Sequence, residues 1–180
     1  MQSKIRFTRS TVATALIMAF AAVSGTAIAG TDTNTLSVTA TVSASCTIDS
    51  TTAVAFGTYD PVTTNASTAL TTSSGAISTT CTNGSAATIT LGQGDNADTG
   101  STDTAPLRRM IGGVNGQFLS YSLCQDSITC ATPWGNDAGT GEGIVGSGTS
   151  DPVTVYGTVP AAQNVGADSY SDSVVVTVTF

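Results

Sequence analysis

Leu36-Ser-Val-Thr-Ala-Thr-Val-Ser-Ala-Ser-Cys-Thr-Ile48 carries an apolar residue at every even position and Ser or Thr at every odd one. Strict alternation sends successive side chains to opposite faces of an extended chain, so it marks a β-strand with one buried face. Fully extended, the segment would span roughly 43 Å at about 3.3 Å per residue, whereas an ordinary strand covers about 17–20 Å. Two readings divide it. In one, a single strand bends across both sheets of a small sandwich, or its first part is a disordered tail. In the other, Val42–Ile48 belongs to the folded domain, tied down by Cys46, while residues 30–41 form an N-terminal extension that pairs elsewhere. Leu36, Val38 and Ala40 are then donor side chains, with no charge after Asp32. Such a segment offers main-chain hydrogen bonds and alternate side chains to an open sheet edge, and is an aggregation hazard unless assembly uses it.

The remainder of the chain has the same period of two and no convincing period of 3.6. Val54 and Phe56 alternate, as do Ile77, Thr79 and Cys81, then Ile89 and Leu91. Leu119, Tyr121 and Leu123 share a face, and Val153, Val155 and Val159 share another around Gly157. Asn83-Gly84 and Asn115-Gly116 separate such runs, and Asn-Gly is a strong hairpin signal because both residues tolerate positive φ. Short strands with this punctuation predict an all-β antiparallel sandwich or barrel; without a fixed repeat, a solenoid ranks below it. The last strand, Ser173-Val-Val-Val-Thr-Val-Thr-Phe180, places Val174, Val176, Val178 and Phe180 on one face. A sandwich ending there lacks its closing strand, which leaves an acceptor groove beside those four residues. An extension from one subunit filling the groove of the next makes a heterologous contact, and hence an open filament.

Composition narrows the chemistry. The chain has no histidine, five basic and twelve acidic residues, and a formal net charge of −7. Without His there is no Ser-His-Asp or Cys-His couple and no His-ligated zinc, and the acidity argues against nucleic acid. A hydrophobic fraction of 40% is too high for a disordered acidic tail. Lys4, Arg6 and Arg9, the apolar run 13–23 and Ala27-Ile28-Ala29 read as a signal peptide over residues 1–29, in preference to a membrane anchor, which needs a longer run. Its removal leaves Arg108 and Arg109 against twelve acids, a net charge of −10.

Four cysteines remain, and in an oxidising compartment an even count reads as disulfides, with three pairings open. Cys46 and Cys81 share strand-like surroundings, and Cys124 and Cys130 bracket a short polar segment, so these two pairs are expected. On the chain-entropy model they contribute about 3.8 and about 2.4 kcal/mol. The spacing lacks C-x2-C pairs, which disfavours a metal thiolate or redox catalysis. Acids in Gly92–Thr104 and Trp134–Ser150 lack a calcium-loop register. Asn65-Ala-Ser67 and Asn83-Gly-Ser85 fit the N-glycosylation pattern, for which a turn is a sufficient alternative at Asn83. No catalytic, metal or cofactor-binding residue is expected.

Cys46 followed by Phe56-Gly57-Thr58-Tyr59, then Cys81, Leu119-Ser-Tyr121-Ser-Leu123, Trp134-Gly135-Asn136 and Tyr170-Ser171-Asp172-Ser173 leading into Val174–Phe180 resembles the spore coat protein U domain family. This is the subunit type of archaic (Csu-type) chaperone–usher pili. The resemblance implies an incomplete immunoglobulin-like sandwich over residues 42–180 lacking its final strand and completed by donor-strand exchange. It implies a homopolymer or related pilin subunits, a periplasmic chaperone and an outer-membrane usher as partners, and no small-molecule cofactor. Secretion via the periplasm to an extracellular pilus on the cell surface, adhesion and biofilm formation follow in the same way. The single-domain length suits a shaft subunit. Cys46–Cys81 matches the family disulfide, whereas Cys124 and Cys130 depart from the usual pattern. The alternatives are a secreted coat or matrix protein, and a carbohydrate-binding adhesin using Trp134, Tyr59 or Tyr156.

Overall fold

The computed structural model describes residues 28–180; most of the expected signal peptide, including Lys4, Arg6 and Arg9, lies outside the described residues. The chain divides between Ala40 and Thr41 into two units. Within the first, residues 28–40 contain no strand or helix.

The second unit is the expected all-β sandwich of antiparallel sheets. Its strands are β1 (Cys46–Thr52), β2 (Leu70–Cys81), β3 (Ala86–Leu91), β4 (Arg108–Gly112), β5 (Phe118–Cys124), β6 (Glu142–Val145), β7 (Ser150–Val159), β8 (Tyr170–Ser171) and β9 (Val176–Thr179). A six-stranded sheet has the order β1-β2-β7-β5-β4-β8 and a three-stranded sheet the order β6-β3-β9. All ladders are antiparallel.

The alternating runs supply the core. Ile77, Ile89, Leu91, Leu119, Tyr121, Leu123, Trp134, Val155 and Val159 form one buried cluster between the sheets. Side chains that alternate along a strand meet across two facing sheets in this way. Cys46, Cys81 and Ala87 form a second cluster, with Ile144 and Val178 packed against it. Disulfides join Cys46 to Cys81, across β1 and β2, and Cys124 to Cys130.

Four expectations change in detail. Asn115-Gly116 does turn a hairpin between β4 and β5, with Gly116 at φ +65°. Asn83-Gly84 turns as well, with Gly84 at φ +77°, but β2 and β3 go to different sheets. The dipeptide dictates a local reversal; the sheet that each strand joins is decided by burial further along. The long terminal strand divides, Tyr170–Ser171 pairing with β4 and Val176–Thr179 with β3. Finally, the alternation that begins at Leu36 becomes strand only from Cys46. A strand is maintained by its ladder partner; among the described residues Leu36–Ser45 joins no ladder, although the Ser45 carbonyl accepts from Thr82 N–H at 2.9 Å next to the start of β1. Val54 and Phe56 likewise alternate, half-buried, in an extended stretch outside any strand.

Candidate functional site

The sandwich is open along one side. One wall is Thr51–Tyr59, the end of β1 and the extended stretch after it. The other is residues 165–176, which lead through β8 to the start of β9. Two contiguous cavities, of about 350 and about 780 Å³, lie between them and share Val54, Met110 and Tyr170. They form one elongated groove. Its floor is the hydrophobic core itself: Ile77, Leu91, Leu123 and Val155 in the smaller part, Leu70, Leu119 and Val159 in the larger. Past Val176 the sheets come together, where Val178 packs on the Cys46–Cys81 cluster.

The wall formed by β9 has a free edge. Gly92 N–H donates to the Val175 carbonyl at 2.8 Å and Asp95 N–H to that of Ser173 at 3.1 Å. In an antiparallel ladder successive residues direct their N–H and C=O groups to opposite sides. The main-chain groups of Val174, Val176 and Val178 therefore point away from β3, and β9 is terminal in its sheet. An apolar trough beside unpaired main-chain donors and acceptors is what an added strand requires. Val174 and Val176 line the groove, Val178 packs at its closed end, and Phe180 lies beyond β9 and is 56% exposed. The opposite wall, and above all Val54 and Phe56, went unrecognised as such in the sequence; their alternation signals a buried face but not that the stretch stays unpaired.

Leu36 and Val38 are each 85% exposed, and Ala40 is exposed as well. Apolar side chains in strict alternation that find no cover within their own unit are available to a partner.

The polar residues around the groove are committed to structure. Arg108 is buried and donates to the carbonyls of Gly92 (2.8 Å), Leu91 (2.8 Å) and Trp134 (2.7 Å). Burial lowers its pKa to about 10, against the opposing influence of Tyr121 and Asp172. Tyr121 donates to Asp172 at 2.7 Å, and burial, followed by that hydrogen bond, raises the phenol well above its ordinary 10. Arg109 forms an ion pair with Asp98 at 3.0 Å and lies 4.1 Å from the centre of the Phe118 ring.

Trp134 is fully buried, its indole N–H donating to the Ile89 carbonyl at 2.8 Å. It presents no face to a glycan. The Tyr59 hydroxyl is occupied by the Pro160 carbonyl and the Gln163 N–H, and Tyr156 is half-buried. Asn65, in the first glycosylation pattern, is buried; its carboxamide accepts from Asp60 N–H and donates to the Thr68 carbonyl. No cluster of His, Cys, Asp and Glu among the described residues is arranged to hold a metal.

The family model of the Spore Coat Protein U domain matches residues 32–177, which takes in most of the extension as well as the sandwich. A curated relative, Protein U of Myxococcus xanthus, is 43% identical over 156 residues, covering 84% of this chain and 87% of its own length.

The chain belongs to the spore coat protein U domain family.

Among solved structures, the chain is similar to one from the chaperone–tip adhesion subunit pre-assembly complex of archaic chaperone–usher Csu pili from Acinetobacter baumannii. Identity is 20% and the TM-score 0.48; the match covers 78% of this chain and spans about 40% of that one. In this spore coat U domain the second disulfide, Cys124–Cys130, closes the turn after β5.

Proposed function

We propose that this spore coat U domain protein is a structural subunit, of shaft type, of an extracellular chaperone–usher pilus that polymerises by donor-strand exchange and supports adhesion and biofilm formation. One observation carries the reading: an apolar groove runs beside the free edge of β9 in a chain that also exposes an alternating apolar segment. Leu36, Val38 and Ala40 of one copy enter the groove of the next beside Val174 and Val176. The contact is heterologous, so each addition leaves a new groove and a new extension, and a filament grows. The segment is uncharged after Asp32, so its insertion buries no unpaired ion. Before assembly a periplasmic chaperone supplies the missing strand, and an outer-membrane usher is where the next subunit replaces it.

The family description favours a second reading, a secreted coat or matrix protein that packs through the same groove without a chaperone and usher. Expression of the chain from Gly30 onward, with and without residues Thr31–Thr41, tests the first. The intact chain should form heat-resistant polymers and the deletion should give folded subunits that cap but do not extend them. Polymerisation of the deletion at the parent's rate would refute donation by this segment. Assembly in cells that needs a co-expressed chaperone and usher separates pilus from coat.

A further inference from the structure

We infer that Asp172 is a positioning residue that fixes the 165–176 wall of the groove to its floor, and so keeps that wall from closing onto Thr51–Tyr59, before a strand enters; this rests on reading the groove as the seat of a donor strand. Asp172 lies where the chain leaves β8 in the large sheet and crosses to β9 in the small one. Its Oδ2 accepts the hydroxyl of Tyr121, which stands on β5 in the groove floor, at 2.7 Å. Its Oδ1 accepts from Asn96 Nδ2 at 2.9 Å, from Asp95 N–H at 3.1 Å and from Asn96 N–H at 3.2 Å, all on the loop that leaves β3. One carboxylate therefore fastens a strand of the large sheet, the loop from the small sheet and the crossing chain to a single point on the groove wall. Gly94, at φ +85°, brings that loop so close that a β-carbon there would collide with the carboxylate.

An empty groove has a reason to close. Its floor is apolar, and drawing the walls together over that floor removes apolar surface from water. A rigid polar fastening at the crossing opposes this closure. Only molecules with the walls apart accept a strand, so the insertion rate follows the fraction held open. Once a strand is seated, its side chains fill the gap and its main chain bridges to β9. The fastening is then largely redundant. Asp172 should therefore govern the rate of assembly far more than the stability of the product.

The chain from Gly30 onward tests this with Asp172→Ala, polymerisation being followed by light scattering and the finished polymers by thermal dissociation. The expected result is assembly slowed by about tenfold, the size of change produced by losing most of the open population, with polymers that dissociate at the parent's temperature. Asp172→Asn keeps acceptor oxygen for the loop and a partner for Tyr121, and should recover most of the rate. An unchanged rate, or a rate and polymer stability that fall together, would overturn the inference. If Asp172→Ala does not fold, Tyr121→Phe decides the matter: it removes one contact and keeps the ring, and assembly at the parent's rate would overturn the inference. Failure of the parent to polymerise both alone and in cells with a co-expressed chaperone and usher is a separate result and refutes the groove reading itself.

Discussion

The ring of Phe56 occupies the space that a side chain on Gly157 would need: its Cζ and Cε1 atoms lie 2.7 and 2.8 Å from where a β-carbon would stand. The same ring meets Tyr121 edge-on, with centroids 6.1 Å apart. Among the described residues, 53–59 have no strand partner, so this seating over a glycine, together with the hydrogen bonds of Ala55 to Ser74 and of Tyr59 to Pro160 and Gln163, keeps one wall of the groove in place. Gly157→Ala should destabilise the subunit by about 1–3 kcal/mol through overpacking, measured as a lower denaturant midpoint with unchanged slope. Adding Phe56→Leu should restore part of the loss, because the two residues share one volume. A Gly157→Ala subunit as stable as the parent would refute the account.

Among the described residues no carboxylate lies within bonding distance of Arg108; its partners are three carbonyl oxygens at the end of β3 and at Trp134. Arg108→Met keeps the volume of the stem but leaves the carbonyls of Leu91, Gly92 and Trp134 without this donor. The expected loss is about 3 kcal/mol or more. Arg108→Lys, with a point charge in place of a planar fork, should fall between. Chemical denaturation of the three proteins checks the order.

The two disulfides close loops of different length, with sequence separations of 35 and 6. Replacing Cys46 and Cys81 together by Ser should cost about 3.8 kcal/mol and replacing Cys124 and Cys130 about 2.4 kcal/mol on the chain-entropy model. The first pair also packs against Ala87 and Val178 at the closed end of the groove, so its loss should slow polymerisation as well. Melting and assembly measured on both double variants check this; a larger loss from the shorter loop would contradict it.

Much of the sandwich was legible because its code is local. Ile77, Ile89, Leu119 and Val155 announce their burial by alternation alone, and Asn115-Gly116 announces its hairpin. Destinations were less legible. Asn83-Gly84 has the same chemistry as Asn115-Gly116, yet its strands part to different sheets, because joining one sheet or the other depends on residues far off in sequence. The division of Tyr170–Ser171 from Val176–Thr179 has the same cause: it is fixed by Asp172 bonding to Tyr121 and Asn96, about fifty and about seventy-five residues away. Of the groove, the β9 wall could be read from its valines. The facing wall could not, since Val54 and Phe56 alternate like any strand and nothing local says that they remain unpaired. Arg108 could have been flagged: it sits on the inward face of β4 opposite buried Tyr121.

Stability should be flat between about pH 5 and pH 8, because the chain has no histidine to titrate there. It should fall in acid. Asp49 is held below its ordinary 3.8 chiefly by the Thr80 hydroxyl, Asp60 by the Thr63 hydroxyl, and Asp168 by the Asn115 N–H. A carboxyl whose pKa is depressed on folding contributes stability above its unfolded value and loses it as pH falls through the folded one. The decline should therefore start near pH 4 and continue below it. Asp168→Asn should melt lower than the parent at pH 7 and converge with it near pH 2; thermal melts across this range would show a constant gap if the account is wrong.

Period two makes donation by the extension testable one residue at a time. If Leu36, Val38 and Ala40 enter a neighbour's groove, the intervening Ser37 and Thr39 face outward from the same strand. Ala40→Asp then carries a carboxylate into an apolar trough with no cation to meet it, since Arg108 and Arg109 are already engaged by carbonyls and by Asp98. Burying an unpaired charge is costly enough to stop insertion. Thr39→Asp places the same charge in solvent, one residue away. Polymer yield should fall at least about a hundredfold for Ala40→Asp, as for a loss of roughly 3 kcal/mol, and change little for Thr39→Asp. Equal effects at both positions would mean that the segment acts by charge or flexibility and not as an inserted strand, whatever the deletion of Thr31–Thr41 does.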